Sequence, residues 1–227
     1  MLWSTSKYIQ NHYKSELLKK ENQWNKEGAR RYLWNSSGAN VSPDKNNYLY
    51  VGMPGSQTVD NAALIIFNDA PNVHPALQKQ ILASIHEGAD LLILSGLFSL
   101  GKGGFRNSVL EKALPVVLTD NAWSFSGDGK TEYSLQTKNG FQWDPKGKVL
   151  FNFYDLQPAE GSEILMTASE PGWFGRKDIP VLLRKKFGKG HVYVLTGTAC
   201  GPHTENSFWK GDFLKELLDL IHASRGK

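Results

Sequence analysis

Residues 62–96 read "AALIIFNDAPNVHPALQKQILASIHEGADLLILSG", and this stretch decides the fold. Its opening apolar run is typical of a strand that is covered on both faces. A helix is predicted from about 75 to 87, because Pro75 suits a first turn and apolar residues then recur every four positions. The apolar run at 90–96 predicts a second strand. Strand, helix and strand in succession indicate a βαβ unit, and therefore a parallel sheet with helices on its faces.

The rest of the chain predicts further elements around this unit. An N-terminal helix and polar loop occupy 1–45, with the helix itself over 7–34, and a β-rich or irregular aromatic segment occupies 119–160. Strands are predicted at 48–51, 114–118 and 163–168, a short helix at 107–113, an edge hairpin within 179–197 and a final helix at 206–223. We therefore predict a single domain over 1–227, of the α/β class, with an open parallel sheet.

Composition excludes several classes of function. The 227 residues are 40% hydrophobic, enough for the core of one domain. No apolar run approaches the roughly 20 residues needed to cross a bilayer, and the N-terminus lacks a signal-peptide pattern, so we expect a cytoplasmic chain without membrane insertion. The net charge is +4. Residues 1–34 carry all of that excess, which predicts a solvated helix face and no nucleic-acid binding.

Metal and cofactor motifs are missing from the sequence. Cys200 is the single cysteine, which rules out an internal disulfide and a cysteine-based metal cluster. The histidines show none of the spacings typical of a zinc hydrolase. We therefore expect no metal and no cofactor.

The glycine-rich stretch at 92–105, "LILSGLFSLGKGGF", suggests two kinds of chemistry and fails the pattern of each. Two of its glycines have phosphate-loop spacing, but Gly103 stands where Ser or Thr would hold magnesium. Ser99 precedes a glycine by two residues, as in a nucleophile elbow, but Leu97 replaces the first glycine of that motif. The stretch therefore indicates a loop that lines a pocket at the carboxyl edge of the sheet, where α/β proteins usually bind ligands.

Three motifs carry a family resemblance: an Asp-x-Pro loop, a serine- and glycine-rich loop, and a closing hairpin with a Gly-Lys-Gly turn. Before that hairpin, the matching residues are Asp69, Pro71, Ser95, Gly96, Ser99, Gly101, Gly103, Gly104, Phe105, Leu110, Glu111, Leu114, Pro115 and Val116. On these residues the chain resembles the class I glutamine amidotransferase-like superfamily, in its non-classical, trehalose-utilisation-type and glycosidase-associated branch. The resemblance covers about 60–118 and 179–222. It implies a flavodoxin-like sheet flanked by helices.

The departures from the family pattern bear on function. Working amidotransferases carry a cysteine on an elbow and a late His-x-Glu pair, whereas no cysteine precedes Cys200 here. The resemblance therefore implies a domain without glutaminase activity that binds a small molecule, with carbohydrate as one candidate, or a partner protein. The predicted ligand-binding residues are Asn68, Asp69, Ser95, Gly96, Ser99, Gly103 and Gly104.

Two alternatives stay open at the level of sequence. The first is a hydrolase that uses Asp69, or Cys200, His203 and Glu205, which are the residue types of a thiol triad but crowd into one loop. The second concerns the aromatic residues of 119–160, which suit either stacking against sugar rings or a small core. A homo-oligomer and a larger parent chain are both compatible with the sequence.

Overall fold

The computed structural model describes nine stretches of the chain: 31–36, 49–50, 62–68, 75–95, 99–101, 103–119, 125–126, 131–197 and 212–224. In chain order the strands are β1 Arg31–Ser36, β2 Leu49–Tyr50, β3 Ala62–Asn68, β4 Asp90–Leu94, β5 Val116–Val117, β6 Phe125–Ser126, β7 Tyr133–Thr137, β8 Val149–Leu150, β9 Phe153–Tyr154, β10 Gln157–Pro158, β11 Ser162–Ser169, β12 Ile179–Phe187 and β13 Gly190–Leu195. The helices are α1 Pro75–His86 and α2 Phe213–Ala223, with a 3₁₀ turn at Glu111–Ala113.

One mixed sheet of nine strands forms the centre of the fold, in the order β2-β1-β3-β4-β13-β12-β11-β7-β8. In this spatial order, the neighbouring pairs β2-β1, β1-β3, β3-β4 and β4-β13 are parallel. From β13 to β8 every neighbouring pair is antiparallel. Four further short strands form two separate two-stranded pairs, β10 with β5 and β6 with β9.

The prediction of a flavodoxin-like open parallel sheet flanked by helices is therefore wrong. The fold is strand-rich, its sheet is mixed, and only two α-helices occur among the described residues. The physical reason lies in the later part of the chain. There, strands joined by short connections pair antiparallel and extend the sheet, whereas a parallel pair needs a long crossover.

Several local predictions are confirmed where the hydrophobic pattern was strong. The βαβ unit is present, because β3 and β4 are adjacent and parallel with α1 between them in sequence. The hairpin of β12 and β13 is also present, but it lies inside the sheet, since β13 pairs with β4 on its other side. Its prediction as an edge hairpin is wrong. The predicted N-terminal helix is wrong at 31–34, which belongs to β1, and its earlier residues lie outside the described stretches.

The sheet is covered on both faces by separate apolar clusters. The side chains of Ile66, Leu92 and Tyr193 belong to the cluster that includes α2. Their sequence neighbours, among them Ile65 and Ile93, belong to the cluster that includes α1 and the glycine-rich stretch. Successive residues of a strand point to opposite faces, so each central strand contributes to both clusters. This two-sided burial explains why these strands are continuous apolar runs.

The described aromatic side chains of the 119–160 segment are mostly part of the core. Tyr133, Phe141, Trp143 and Phe153 are buried in the same cluster as α2. Trp143 packs edge-on against Phe213 of that helix, with 4.8 Å between ring centroids. These four rings are therefore not available for stacking against a sugar.

Candidate functional site

The carboxyl ends of the parallel strands form one row across the sheet. Ser36 at the end of β1 is in register with Asn68 of β3, Asn68 with Leu94 of β4, and Leu94 with Leu195 of β13. The chain passes from β1 outward to β2 and then returns to β3 on the other side of β1. In open α/β sheets such a reversal marks the place where ligands bind. Here it falls between β1 and β3, in the parallel part of a mixed sheet and one strand away from β4.

Ser95 follows β4 directly at this edge and is fully buried. Its backbone N–H donates to the carbonyl of Leu195 at 3.1 Å. Its side-chain hydroxyl is buried as well, and it has no hydrogen-bond partner among the residues that the structure describes. Since buried polar groups are nearly always paired, this hydroxyl calls for an explanation.

Thr196 occupies the matching position after β13, and its hydroxyl is paired. The Oγ1 atom donates to the carbonyl oxygens of Pro180 and Val181, each at 3.2 Å. Its backbone N–H also donates to the carbonyl of Val181, at 2.7 Å. Two hydroxyl side chains therefore follow neighbouring strands, and the one after β4, Ser95, lacks a partner among the described residues.

The glycine-rich stretch packs its apolar side chains into the core close to this edge. Phe105 is buried against Phe67 of β3, with 5.7 Å between ring centroids. Leu100 is also buried and has φ 51°, in the left-handed region that non-glycine residues rarely adopt. The buried Ser99 offers its carbonyl to the N–H of Gly103 at 3.1 Å and to the hydroxyl of Tyr154 at 3.4 Å.

The structure places only part of the predicted site. Ser95, Ser99 and Gly103 are buried at this edge, and Gly104, at φ 74°, is exposed on the same loop. For Asn68, the backbone position at the end of β3 is described. The remaining predicted site residues, Asp69, Gly96, Cys200, His203 and Glu205, lie outside the described residues.

Sequence reasoning missed a chain of contacts that connects the glycine-rich stretch to the loop between β11 and β12. The residue after Tyr154 is Asp155, whose carboxylate binds the guanidinium of Arg176 at 2.5 and 2.9 Å. This hydrogen-bonded pair raises the pKa of Arg176. Tyr154 itself donates its backbone N–H to the carbonyl of Thr196 at 3.0 Å. The loop between β11 and β12 therefore stands at the same edge of the sheet as Ser95.

The opposite edge, at the amino ends of the parallel strands, is closely packed. The carboxylate of Asp90 is buried and accepts the backbone N–H of His191 at 2.8 Å. A Cβ atom built at Gly190 would lie 1.8 Å from the carbonyl oxygen of Ala89. Backbone therefore packs directly on backbone here, which indicates a structural role for this edge.

Two general searches of the described residues gave no candidate. None of the helices found there is long and apolar enough to span a membrane. No group of three or more His, Cys, Asp or Glu side chains within those stretches is arranged to hold a metal ion.

Comparison with known proteins relates the fold to solved structures. No family model and no curated protein matches the sequence. A cytoplasmic protein from Salmonella typhimurium is 13% identical, with a TM-score of 0.64, over 84% of this chain and 98% of that one. A second, from Salmonella typhimurium LT2, is 15% identical, with a TM-score of 0.62, over 85% of this chain and 98% of that one.

A cold-adapted β-galactosidase from Rahnella sp. R3 also has a similar fold. It is 12% identical, with a TM-score of 0.57, over 86% of this chain and 32% of the galactosidase chain. The present chain therefore spans about a third of that enzyme and nearly the full length of the two Salmonella proteins. At such identities these likenesses concern the fold alone.

Proposed function

We propose that this chain binds a small polar molecule at the carboxyl edge of its parallel strands and has no glutaminase activity. The observation that carries the proposal is the hydroxyl of Ser95, which is buried at the end of β4 and unpaired. Leaving a buried hydroxyl without a partner costs about 1–3 kcal/mol. A ligand that pairs with this hydroxyl recovers that cost.

The position of Ser95 supports a ligand more than a defect of packing. It lies at the edge where ligands bind in α/β sheets, while the equivalent hydroxyl of Thr196 is paired within the protein. The left-handed backbone of Leu100 adds support, because strained residues cluster at binding sites.

The hydroxyl groups described at this edge suit a neutral ligand. A serine hydroxyl both donates and accepts, so it pairs with a sugar hydroxyl or an amide. The neighbouring described side chains of Ser99, Tyr154 and Thr196 are uncharged at neutral pH. The two charged side chains in this chain of contacts, Asp155 and Arg176, are paired with each other. A phosphate group would find no free cation among these residues.

Thermal unfolding in the presence of single compounds tests the proposal. The probes are galactose, trehalose, glutamine and inorganic phosphate, each tested on the wild type and on Ser95→Ala. We expect one of the neutral compounds to raise the Tm of the wild type, and Ser95→Ala to lose that rise.

Ser134→Ala is the matched control, since it removes the same hydroxyl from an exposed position on β7. It should retain the full ligand response. A response that survives in Ser95→Ala, or a response to none of the four probes, would count against this site. Release of ammonia from glutamine by the wild type would contradict the absence of glutaminase activity.

A further inference from the structure

Residues 138–141, "KNGF", form a tight turn directly after β7. The N–H of Phe141 donates to the carbonyl of Lys138 at 3.2 Å, and the two residues between them, Asn139 and Gly140, have φ of 51° and 81°. A turn with left-handed backbone at both central positions is of type I′, for which Asn-Gly is a strongly preferred pair. We call residues 138–141 the Asn-Gly turn.

The Asn-Gly turn is attached to β11 and leads into the core. The side-chain amide of Asn139 donates to the carbonyl of Ile164 on β11 at 2.6 Å. At the other end of the turn, Phe141 is buried and packs edge-on against Phe213 of α2, with 6.0 Å between ring centroids. The position of a core aromatic side chain therefore depends on the geometry of this turn.

Asn139 and Gly140 are both exposed, and the amide nitrogen of Gly140 is open to reaction. Its N–H has no hydrogen-bond acceptor among the described residues. A Cβ atom built at Gly140 would meet no atom within 4 Å apart from its chain neighbours. The nitrogen of Gly140 and the Cγ atom of Asn139 can close a five-membered ring, because only the carbonyl carbon, Cα and Cβ of Asn139 lie between them.

We propose that Asn139 deamidates in the folded protein, with water as the co-reactant. The Gly140 nitrogen loses its proton to solvent and attacks Cγ of Asn139, so that a new C–N bond forms and the bond from Cγ to Nδ2 breaks. The released nitrogen takes up a proton and leaves as ammonia. Water then opens the cyclic imide at either carbonyl, which gives aspartate or isoaspartate at position 139. No oxidation or reduction takes place.

Asn107 is less suited to this reaction. It is also exposed, and it also has a left-handed backbone, with φ 59°. The next residue is Ser108, whose N–H donates to the carbonyl of Phe105 at 3.3 Å. Attack by the Ser108 nitrogen must first break this hydrogen bond, and the serine side chain crowds the ring. The sequence contains a single Asn-Gly pair, so we expect the reaction at position 139.

Deamidation should weaken the attachment of the Asn-Gly turn to β11. An aspartate at position 139 has no N–H to donate to the carbonyl of Ile164, and its negative charge lies near that carbonyl oxygen. An isoaspartate also lengthens the main chain by one carbon atom. A type I′ turn cannot absorb the extra atom without a shift of Phe141 relative to Phe213.

Incubation of the whole folded chain at mildly alkaline pH, followed by digestion and mass spectrometry, tests the reaction. The peptide with Asn139 should gain the mass difference between an amide and an acid. Its rate should be at least about tenfold higher than that of the peptide with Asn107, where a hydrogen bond must first break. The rate at position 139 should rise with pH, since the attacking nitrogen must lose its proton. Equal rates at the two positions, or loss of the amide at 139 only after unfolding, overturn the proposal.

The variant Asn139→Asp tests the consequence of the reaction. It should lower the Tm by roughly 2–4 °C, as expected for the loss of one hydrogen bond in a chain of this size. Gln136→Glu is the matched control, since it makes the same exchange of amide for acid on β7, at an exposed side chain without a hydrogen bond to the described residues.

Gln136→Glu should keep the Tm of the wild type. An Asn139→Asp variant as stable as this control would contradict the expected loosening of the turn. Ser95→Ala should deamidate at the rate of the wild type, so this test is independent of the ligand site.

Discussion

The two ends of β4 differ in how their buried polar groups are paired. At the amino edge, the carboxylate of Asp90 receives the N–H of His191, and Gly190 lies against the backbone of the turn before β4. At the carboxyl edge, the hydroxyl of Ser95 is buried without a partner and Leu100 has a left-handed backbone. The amino end of β4 is therefore closely packed and paired, whereas its carboxyl end combines an unpaired buried hydroxyl with a strained backbone, a combination found where ligands bind.

The largest expected effect concerns the packing of the amino edge. Gly190→Ala would place a Cβ atom 1.8 Å from the carbonyl oxygen of Ala89 and 2.6 Å from that of Ile85. Backbone must shift to accommodate it, so we expect a loss of about 3 kcal/mol or more in the free energy of unfolding, measured by urea denaturation. Gly161→Ala is the control, because its φ is +74° but no atom lies within 4 Å. It should cost only about 1 kcal/mol.

The next effect concerns the buried carboxylate of the same edge. Asp90→Ala leaves the N–H of His191 without its acceptor, so we expect a loss of about 2 kcal/mol, again from urea denaturation. Asp90→Asn preserves an acceptor oxygen and should cost clearly less. Equal losses for the two variants would show that the hydrogen bond to His191 is not what stabilises this edge.

At the carboxyl edge we expect a smaller change in the free energy of unfolding, with the opposite sign. Without ligand, Ser95→Ala removes an unpaired buried hydroxyl, so the free energy of unfolding should stay unchanged or rise by up to about 1 kcal/mol. Thr196→Val removes a paired hydroxyl and should cost about 1 kcal/mol. Urea denaturation of both variants measures the contrast. A clear loss of stability in Ser95→Ala would mean that this hydroxyl is already paired, and the difference between the edges would disappear.

The smallest expected change in the free energy of unfolding concerns Tyr193, which lies between the two edges in the middle of β13. Its hydroxyl lies 2.9 Å from that of Ser224, next to the end of α2, and burial raises the pKa of Tyr193. Stability from this group is complete below the unfolded-state pKa of about 10 and is lost as the pH rises through the folded-state pKa. Tyr193→Phe should cost about 0.5–1 kcal/mol near neutral pH.

The pH dependence separates this effect from general damage. Unfolding free energies measured from pH 7 to above about 10 should fall less steeply in Tyr193→Phe than in the wild type, because the variant has no phenol at this position to ionise. Curves that run parallel up to the highest pH would contradict a buried, titrating Tyr193.

Sequence patterns identified those parts of the fold in which both faces of a strand are buried. The apolar runs of β3 and β4 and the four-residue repeat of α1 predicted the βαβ unit, because a fully covered strand has little freedom to be polar. Strand β8 has only two residues, and β7 and β11 mix polar with apolar residues. The place of β7 and β11 in the sheet depends on pairing with residues far along the chain. Such register is not a property of any local stretch.

The candidate site shows the same division. The glycine-rich stretch and Ser95 were predicted from a motif that local sequence carries. The pairing state of the Ser95 hydroxyl, the contact of Tyr154 with Ser99 and the anchoring of Arg176 by Asp155 involve residues many positions apart. The exposed tip of the loop between β11 and β12 had a local signal, since "PGWFGR" places Trp173 and Phe174 between glycines in a turn.

By itself, then, the sequence determined the parallel centre of this protein and the loop at its carboxyl edge, because hydrophobic periodicity and glycine spacing act over a few residues. Only the tertiary structure decided that the sheet is mixed, that the hairpin of β12 and β13 lies inside it, and that the hydroxyl of Ser95 is left unpaired while that of Thr196 is bound. Those outcomes depend on which distant groups meet, and the chain can satisfy a buried polar group only once its partners have been brought together.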